Sequence, residues 1–213
     1  YHVAIRVPER LDLARWLAHA ARTRVPLTGA SDHRVSEAIY LHDPDGHGVE
    51  VYRDRPREQW EGRVQEAMAL LPLEADDLLG ELGDAGRASF DGLPPGTDVG
   101  HVHLRVADVS VAVGFYRDVL GFELMAAMGD RAAFLAAGGY HHHLGVNSWG
   151  SVGASQAPPG VATMRHATIV VPDKATRDAA AARVATAGGL VEPIDGGVLV
   201  RDPSGNGLVL AVD

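Results

Sequence analysis

Three stretches of the chain begin alike in their order of polar and apolar residues. His2-Val3-Ala4-Ile5-Arg6-Val7-Pro8-Glu9, His101-Val102-His103-Leu104-Arg105-Val106-Ala107-Asp108 and His166-Ala167-Thr168-Ile169-Val170-Val171-Pro172-Asp173 each open on a histidine, pass through short apolar segments and reach an acidic residue. Such segments predict strands. The period then lengthens. Leu13, Trp16, Leu17 and Ala20 recur at helical spacing, residues 109–120 do the same before Gly121, and 175–187 before Gly188, where a glycine is the expected helix stop. Strand-like residues follow each helix, at 38–41 and 48–52, at 122–128 and 132–146, and at 197–201 and 208–212. Asp43-Pro44-Asp45-Gly46-His47-Gly48 and Asp202-Pro203-Ser204-Gly205-Asn206-Gly207 occupy matching places, and their Pro and Gly suit tight hairpin turns.

The repeating unit reads as strand, helix, then three strands. Modules are expected at 1–58, 99–150 and 164–213. A linker at 59–98 holds a short helix suggested by Leu78, Leu79 and Leu82 and a loop at Leu93-Pro94-Pro95-Gly96, and a second at 151–163 carries Pro158-Pro159-Gly160. The expected class is α+β: repeated βαβββ modules, none able to bury its concave face alone, pairing into an open curved sheet around a shared cavity. Three modules leave one pairing position for another chain, a homodimer being the expectation, or for a segment preceding residue 1.

Composition narrows the function. With 46% hydrophobic and 22% charged residues over 213 positions, the chain has ordinary globular values. A formal charge of -9 without a dense Lys/Arg cluster lacks the footprint of a nucleic-acid binder. Cysteine is absent, which excludes disulfides, thiolate metal sites and a cysteine nucleophile. No apolar run approaches the roughly 20 residues of a membrane span, so a cytoplasmic protein is expected.

Any metal must then sit on His and carboxylate. Matching strand-one positions in two pairing modules would bring His2 and His101 towards one space, and Glu50, in the last strand of the first module, would face it too. Two imidazoles and one carboxylate form the donor set that leaves positions open for substrate and dioxygen, usually on iron(II). A single strand histidine is more often a core or surface residue, and a strand glutamate more often faces water. Repetition at equivalent positions favours the metal reading. The third module serves as an internal control: it keeps His166 but has Val209 where the first has Glu50, so it reads as structural. His103 shares a face with His101, but the three-way alignment selects His101. His19, His42 and His47 lack any repeat logic and read as surface residues.

The repeats resemble the vicinal oxygen chelate superfamily of glyoxalases, bleomycin and fosfomycin resistance proteins and extradiol dioxygenases. His33, Ile39-Tyr40, Asp43-Pro44, Gly46 and Glu50 are spaced as in the extradiol ring-cleavage dioxygenase signature, with one departure at Ser31. Tyr1-His2, Val35-Ser36-Glu37-Ala38, Asp54-Arg55-Pro56-Arg57 and Gly138-Gly139-Tyr140-His141-His142-His143 further resemble bacterial catechol-2,3-dioxygenases of four modules. That likeness implies that a first module precedes this chain, that the cofactor is Fe(II) with Mn(II) as the alternative, and that the partners are a small aromatic diol and O2. It implies that the Tyr40 hydroxyl contacts the bound catecholate and that His33 belongs to the same signature. Familiar members draw their ligands from the last two modules, so the Val209 substitution moves the triad to the first two modules here.

Strand alternation through 140–144 would set His141 and His143 on one face and His142 on the other. Aligning Gly145 with Glu50 then turns His143 to the cavity, where an imidazole can take and return a phenolic proton. His143, Tyr40 and His33 are the candidate catalytic residues. Two alternatives remain. A glyoxalase-type isomerase or transferase would want a carboxylate where Gly145 stands, and a drug-binding protein without catalysis would need no ligand set at all.

Overall fold

The structure, a computed structural model, describes residues 2–83, 90–158 and 160–213. Tyr1 and Pro159 of the motifs above lie outside the described residues. The chain divides into two compact units, Tyr1–His103 and Leu104–Asp213. No helix among the described residues is long and apolar enough to cross a membrane.

In the first unit β1 (His2–Arg6), α1 (Arg10–Thr23), β2 (Leu27–Asp32), β3 (Ser36–His42) and β4 (Gly48–Asp54) follow one another. A short α2 (Val64–Ala67), β5 (Leu71–Pro72) and α3 (Ala75–Gly80) lead to β6 (Asp98–Arg105). Helix α3 carries Leu78 and Leu79 of the three leucines that suggested a helix, and Leu82 lies beyond its end. The sheet runs β5-β2-β3-β4-β1-β6, with β1 parallel to β4 and antiparallel to β6.

Alternation along these strands separates two faces. Ile39 and Val51 turn to the helix side, where they join Val7, Leu13, Ala14 and Leu78 in a buried cluster. Ala4, Ala38, Tyr40 and Tyr52 cluster separately. That second face is the one bearing His2 and Glu50.

The second unit holds α4 (Val109–Gly114), which continues as a wider π-type turn over Phe115–Leu120, then β7 (Glu123–Met128), β8 (Ala132–Ala136) and β9 (Leu144–Asn147). It ends with β10 (Ala167–Val170), α5 (Lys174–Thr186), β11 (Val191–Ile194), β12 (Gly197–Arg201) and β13 (Gly207–Ala211). Strand β8 pairs with β7 and β9, and a four-stranded sheet runs β10-β13-β12-β11. Strand, helix and three strands thus recur in order.

The repeated acidic residues have a structural use. Asp108 Oδ1 accepts from the Val111 N–H at 3.0 Å and Asp173 Oδ1 from the Thr176 N–H at 2.7 Å, each capping the helix that follows. Glu9 takes the same place before α1, where its own N–H donates to Asp12 at 3.2 Å. The two matching turns are also alike in detail. Asp43 Oδ1 accepts from the N–H groups of Asp45 and His47 at 3.0 and 2.8 Å, and Asp202 Oδ1 from those of Ser204 and Asn206 at 2.9 and 2.8 Å. Gly46 and Gly205 supply φ of 84° and 87° in these turns.

The helix side of the first unit carries a buried ionic hub. Glu37, 2% exposed, accepts from Arg10 Nε at 2.9 Å, Arg53 Nε at 2.8 Å and Arg55 Nη2 at 3.2 Å. Burial pushes its carboxyl up, but the guanidinium groups outweigh that and hold it below its ordinary 4.5. A depressed carboxyl adds stability above the unfolded-state value and loses it as pH falls through the folded one. Glu37→Gln should therefore cost about 3 kcal/mol near neutrality by taking the shared buried carboxylate from three partly buried guanidinium groups, about 6 to 12 °C for a chain of this size. Thermal melts should show this gap closing as pH drops below 4.5. A gap of constant size would rule out the charge of Glu37 as its source.

Candidate metal centre

His2 and Glu50 meet because β1 and β4 run parallel in a fixed register. His2 pairs with Gly48 and Ala4 with Glu50, so residues two apart share a face. Antiparallel pairing of β6 sets His101 opposite Ala4 and His103 opposite His2. Thus two residues of β1 bring two of β6 and one of β4 to one patch.

Three side chains converge there. Glu50 Oε2 lies 2.9 Å from His2 Nε2 and 3.2 Å from His101 Nε2. Their ligand atoms all lie within 4.8 Å of one another. Glu50 is 2% and His101 3% exposed. A divalent cation holding imidazole nitrogen and carboxylate oxygen at about 2.1 Å places neighbouring donors about 3 Å apart. The observed spacings fit that requirement.

The electrostatics suit a cation. Burial by itself would raise the Glu50 carboxyl, but the facing imidazoles of His101 and His2 prevail and hold it well below the usual carboxylate range. Burial pushes His2 down, only partly offset by Glu50. Burial, with His2 and His101 nearby, pushes His103 well below its ordinary value. An ionised carboxylate beside a His2 imidazole driven towards its neutral form is the protonation state in which such groups donate lone pairs.

Tyr40 stands opposite Glu50 on β3, its ring 5.8 Å from that of His2. Its hydroxyl lies 2.6 Å from His33 Nε2, and His33 Nδ1 lies 3.0 Å from the Ala69 carbonyl. A carbonyl only accepts, so Nδ1 carries the proton of a neutral His33, and Tyr40 donates to Nε2. The Ala69 N–H returns a bond to the His33 carbonyl at 3.1 Å. His33, half-buried, is therefore held from both ends rather than loose in a loop.

Register also tests the alignment of the repeats. Tyr40 pairs with Glu50, Phe134 with Gly145 and Leu199 with Val209. Glu50 pairs with Ala4 and Val209 with Thr168, each two residues beyond a leading histidine. Gly145 and Val209 thus occupy the Glu50 position in the other repeats. His166 is exposed, as are His42 and His47. His19 is half-buried, its ring 4.5 Å from Phe90, and so departs from the expected solvated surface.

Residues 98–210 match the family described as Glyoxalase/Bleomycin resistance protein/Dioxygenase superfamily. Over 204 residues the chain is 41% identical to a catechol-2,3-dioxygenase of Bacillus subtilis (strain 168), covering 95% of this chain and 71% of that relative. The chain belongs to the glyoxalase/bleomycin resistance/dioxygenase superfamily. Among solved structures, a dioxygenase candidate from Bacillus subtilis subsp. subtilis str. 168 matches with a TM-score of 0.63 at 16% identity, covering 100% of this chain and 61% of that one. Glyoxalase I from Zea mays matches with a TM-score of 0.57 at 17% identity, covering 100% of this chain and 66% of that one. At these identities the two structures speak for the fold alone. The chain spans less than two thirds of both.

One expectation within this superfamily member needs correction. Residues 137–143 form a loop between β8 and β9 rather than part of a strand, so alternation does not set the facing of the three histidines. Gly138 and Gly139, with φ of 63° and 66°, turn the backbone there. His141 Nδ1 and His142 Nδ1 lie 2.8 Å apart, which requires one ring to donate and the other to accept. His143 is half-buried, and its Nδ1 accepts from the Ala137 N–H at 3.3 Å. Sequence reasoning passed over Tyr52, whose ring lies 4.8 Å from that of His101. Its place two residues after Glu50 was the available signal.

Proposed function

We propose that this protein is an extradiol ring-cleavage dioxygenase that binds Fe(II) through His2, Glu50 and His101 and opens a catechol-type aromatic diol with O2. The observation that carries this reading is the buried Glu50 oxygen facing the Nε2 atoms of His2 and His101 at 2.9 and 3.2 Å. The donor set itself supports iron: two imidazoles and one carboxylate leave room for a chelating substrate and for oxygen. When bound, the metal supplies a template for the diol and the redox partner for dioxygen.

The chain's own residues do the rest. Tyr40 donates to His33 Nε2 and is the proposed contact to the substrate, and the Ala69 carbonyl maintains that polarity by fixing the His33 tautomer. His143 is the proposed acid/base, with its proton on Nε2 while Nδ1 accepts from Ala137. The named relative, 41% identical, supports the substrate class. Gly145 and Val209 offer no second carboxylate of the kind a glyoxalase-type centre wants, which favours oxygen chemistry. The proposal keeps the division into modules at 1–58, 99–150 and 164–213.

Anaerobic reconstitution of the full chain with Fe(II), followed by a catechol and air, is the test. About one bound iron and a yellow ring-opened product, absent with argon in place of air, are expected. Metal analysis finding no bound iron, or iron without product from any catechol, would reject the reading.

A further inference from the structure

Strand β6 carries one residue more than its partner allows. Pairing with β1 runs His2 to His103, Val3 to Val102 and Ala4 to His101, then resumes with Ile5 opposite Val99. Gly100 has no opposite number, so a bulge sits immediately before His101. A bulge bends its strand and re-aims the adjacent side chains. Its extra residue also makes register vulnerable, because a slip of one position turns a side chain to the other face of the sheet.

Tyr52 fills the space over this bulge. From β4, beyond β1, it extends so far that a Cβ added at Gly100 would overlap the Tyr52 hydroxyl oxygen and come within 2.9 Å of its Cζ and 3.1 Å of Arg6 Cβ. Tyr52 is 0% exposed, so its ring has no solvent to retreat into. The same ring lies 4.8 Å from the His101 imidazole, tilted by 52°. Glycine at position 100 and tyrosine at position 52 are therefore complementary shapes: the bulge leaves room that only the tyrosine occupies, and the tyrosine braces the imidazole beyond.

We infer that Tyr52 is a positioning residue, locking the Gly100 bulge and thereby aiming His101 Nε2 at the metal. The inference rests on the reading of His2, Glu50 and His101 as ligands and adds what holds one of them in place. Residues behind metal ligands typically affect affinity by about 10- to 100-fold.

The test uses the full chain as Tyr52→Phe, Tyr52→Leu, Gly100→Ala and the double variant Tyr52→Leu/Gly100→Ala. Affinity for Co(II) and its visible absorption spectrum are measured anaerobically, beside the melting temperature without metal. Tyr52→Phe, which keeps the ring beside His101 but vacates the place of the hydroxyl over Gly100, should bind more weakly than wild type and more tightly than Tyr52→Leu. Tyr52→Leu and Gly100→Ala should each bind about 10- to 100-fold more weakly with an altered spectrum. The double variant should bind better than Gly100→Ala alone, since leucine vacates the space that the new methyl needs, a non-additivity expected only of residues in contact. Leu13→Ala, in the helix-side cluster, controls for loss of stability. Wild-type affinity and spectrum in Tyr52→Leu would overturn the inference, as would a loss equal to that of Leu13→Ala at matched loss of melting temperature. Failure of the wild-type chain to bind Co(II) at all would instead reject the metal centre.

Discussion

Replacing Glu50 by alanine should abolish tight binding of a divalent metal, and with it ring cleavage, while leaving the apo fold intact. The two outcomes separate because Glu50 plays opposite parts in them. As the proposed ligand it supplies the one carboxylate in the cluster of His2, Glu50 and His101. Its removal should weaken binding by more than the roughly 100-fold seen when groups behind a ligand are lost. As a buried charge in the apo protein it costs solvation, and its loss strands no fixed charge, because the His2 imidazole, unlike the guanidinium groups around Glu37, can shed its proton. The expected melts follow. Wild type should gain about 2.7 kcal/mol at a metal concentration 100 times its dissociation constant, about 5 to 10 °C for a chain of this length. Glu50→Ala should gain nothing and melt without metal close to wild type.

Val209→Ala provides the matched comparison. Val209 holds the equivalent register position in the third repeat, paired with Thr168 as Glu50 is with Ala4. Truncating this buried valine should cost about 2 kcal/mol of stability yet preserve metal binding. Retained tight binding in Glu50→Ala, or lost binding in Val209→Ala, would reverse the assignment of the two repeats.

The parts of this protein that were legible in its sequence are those repeated in it. Glu9, Asp108 and Asp173 recur because a strand turning into a helix must satisfy exposed N–H groups at the helix start. Asp43 and Asp202 recur because each ties the N–H groups of its turn through one carboxylate oxygen. Repetition likewise placed His101 in register with the site, although His103 lies on the same strand and directly opposite His2.

Strands towards the sheet margins were harder to read. Leu27–Asp32 is largely exposed and has no core face to impose alternation, and Val191–Ile194 contains Pro193, which an edge strand tolerates and a central one does not. Their existence follows from pairing with β3 and β12 rather than from local pattern. The loop at 137–143 was misread as strand because its apolar neighbours continue on both sides, and the positive φ at Gly138 and Gly139 has no counterpart in hydropathy. The brace on His101 was hidden for a related reason. A bulge is a property of two strands in register, and Gly100 alone carries no signal of it.

His143→Ala is expected to lower kcat by about 100- to 10,000-fold, the usual contribution of a positioned acid or base, while iron content stays at the wild-type level. Three adjacent histidines compete for this role, and their surroundings discriminate among them. His141 is 0% and His142 7% exposed, and the 2.8 Å contact between their Nδ1 atoms ties their tautomers together. His143 is half-buried, and its Nδ1 accepts a long 3.3 Å bond from the Ala137 N–H. Its Nε2 can therefore deliver a proton, and its Nδ1 can take one up by releasing a weak bond. Steady-state kinetics with a saturating catechol distinguish this from a structural role. Proton transfer predicts a fall in kcat with little change in KM, and partial recovery on adding free imidazole. A variant that keeps wild-type kcat would exclude His143 as the acid/base, and one that loses its iron would show that the histidine serves the metal centre instead.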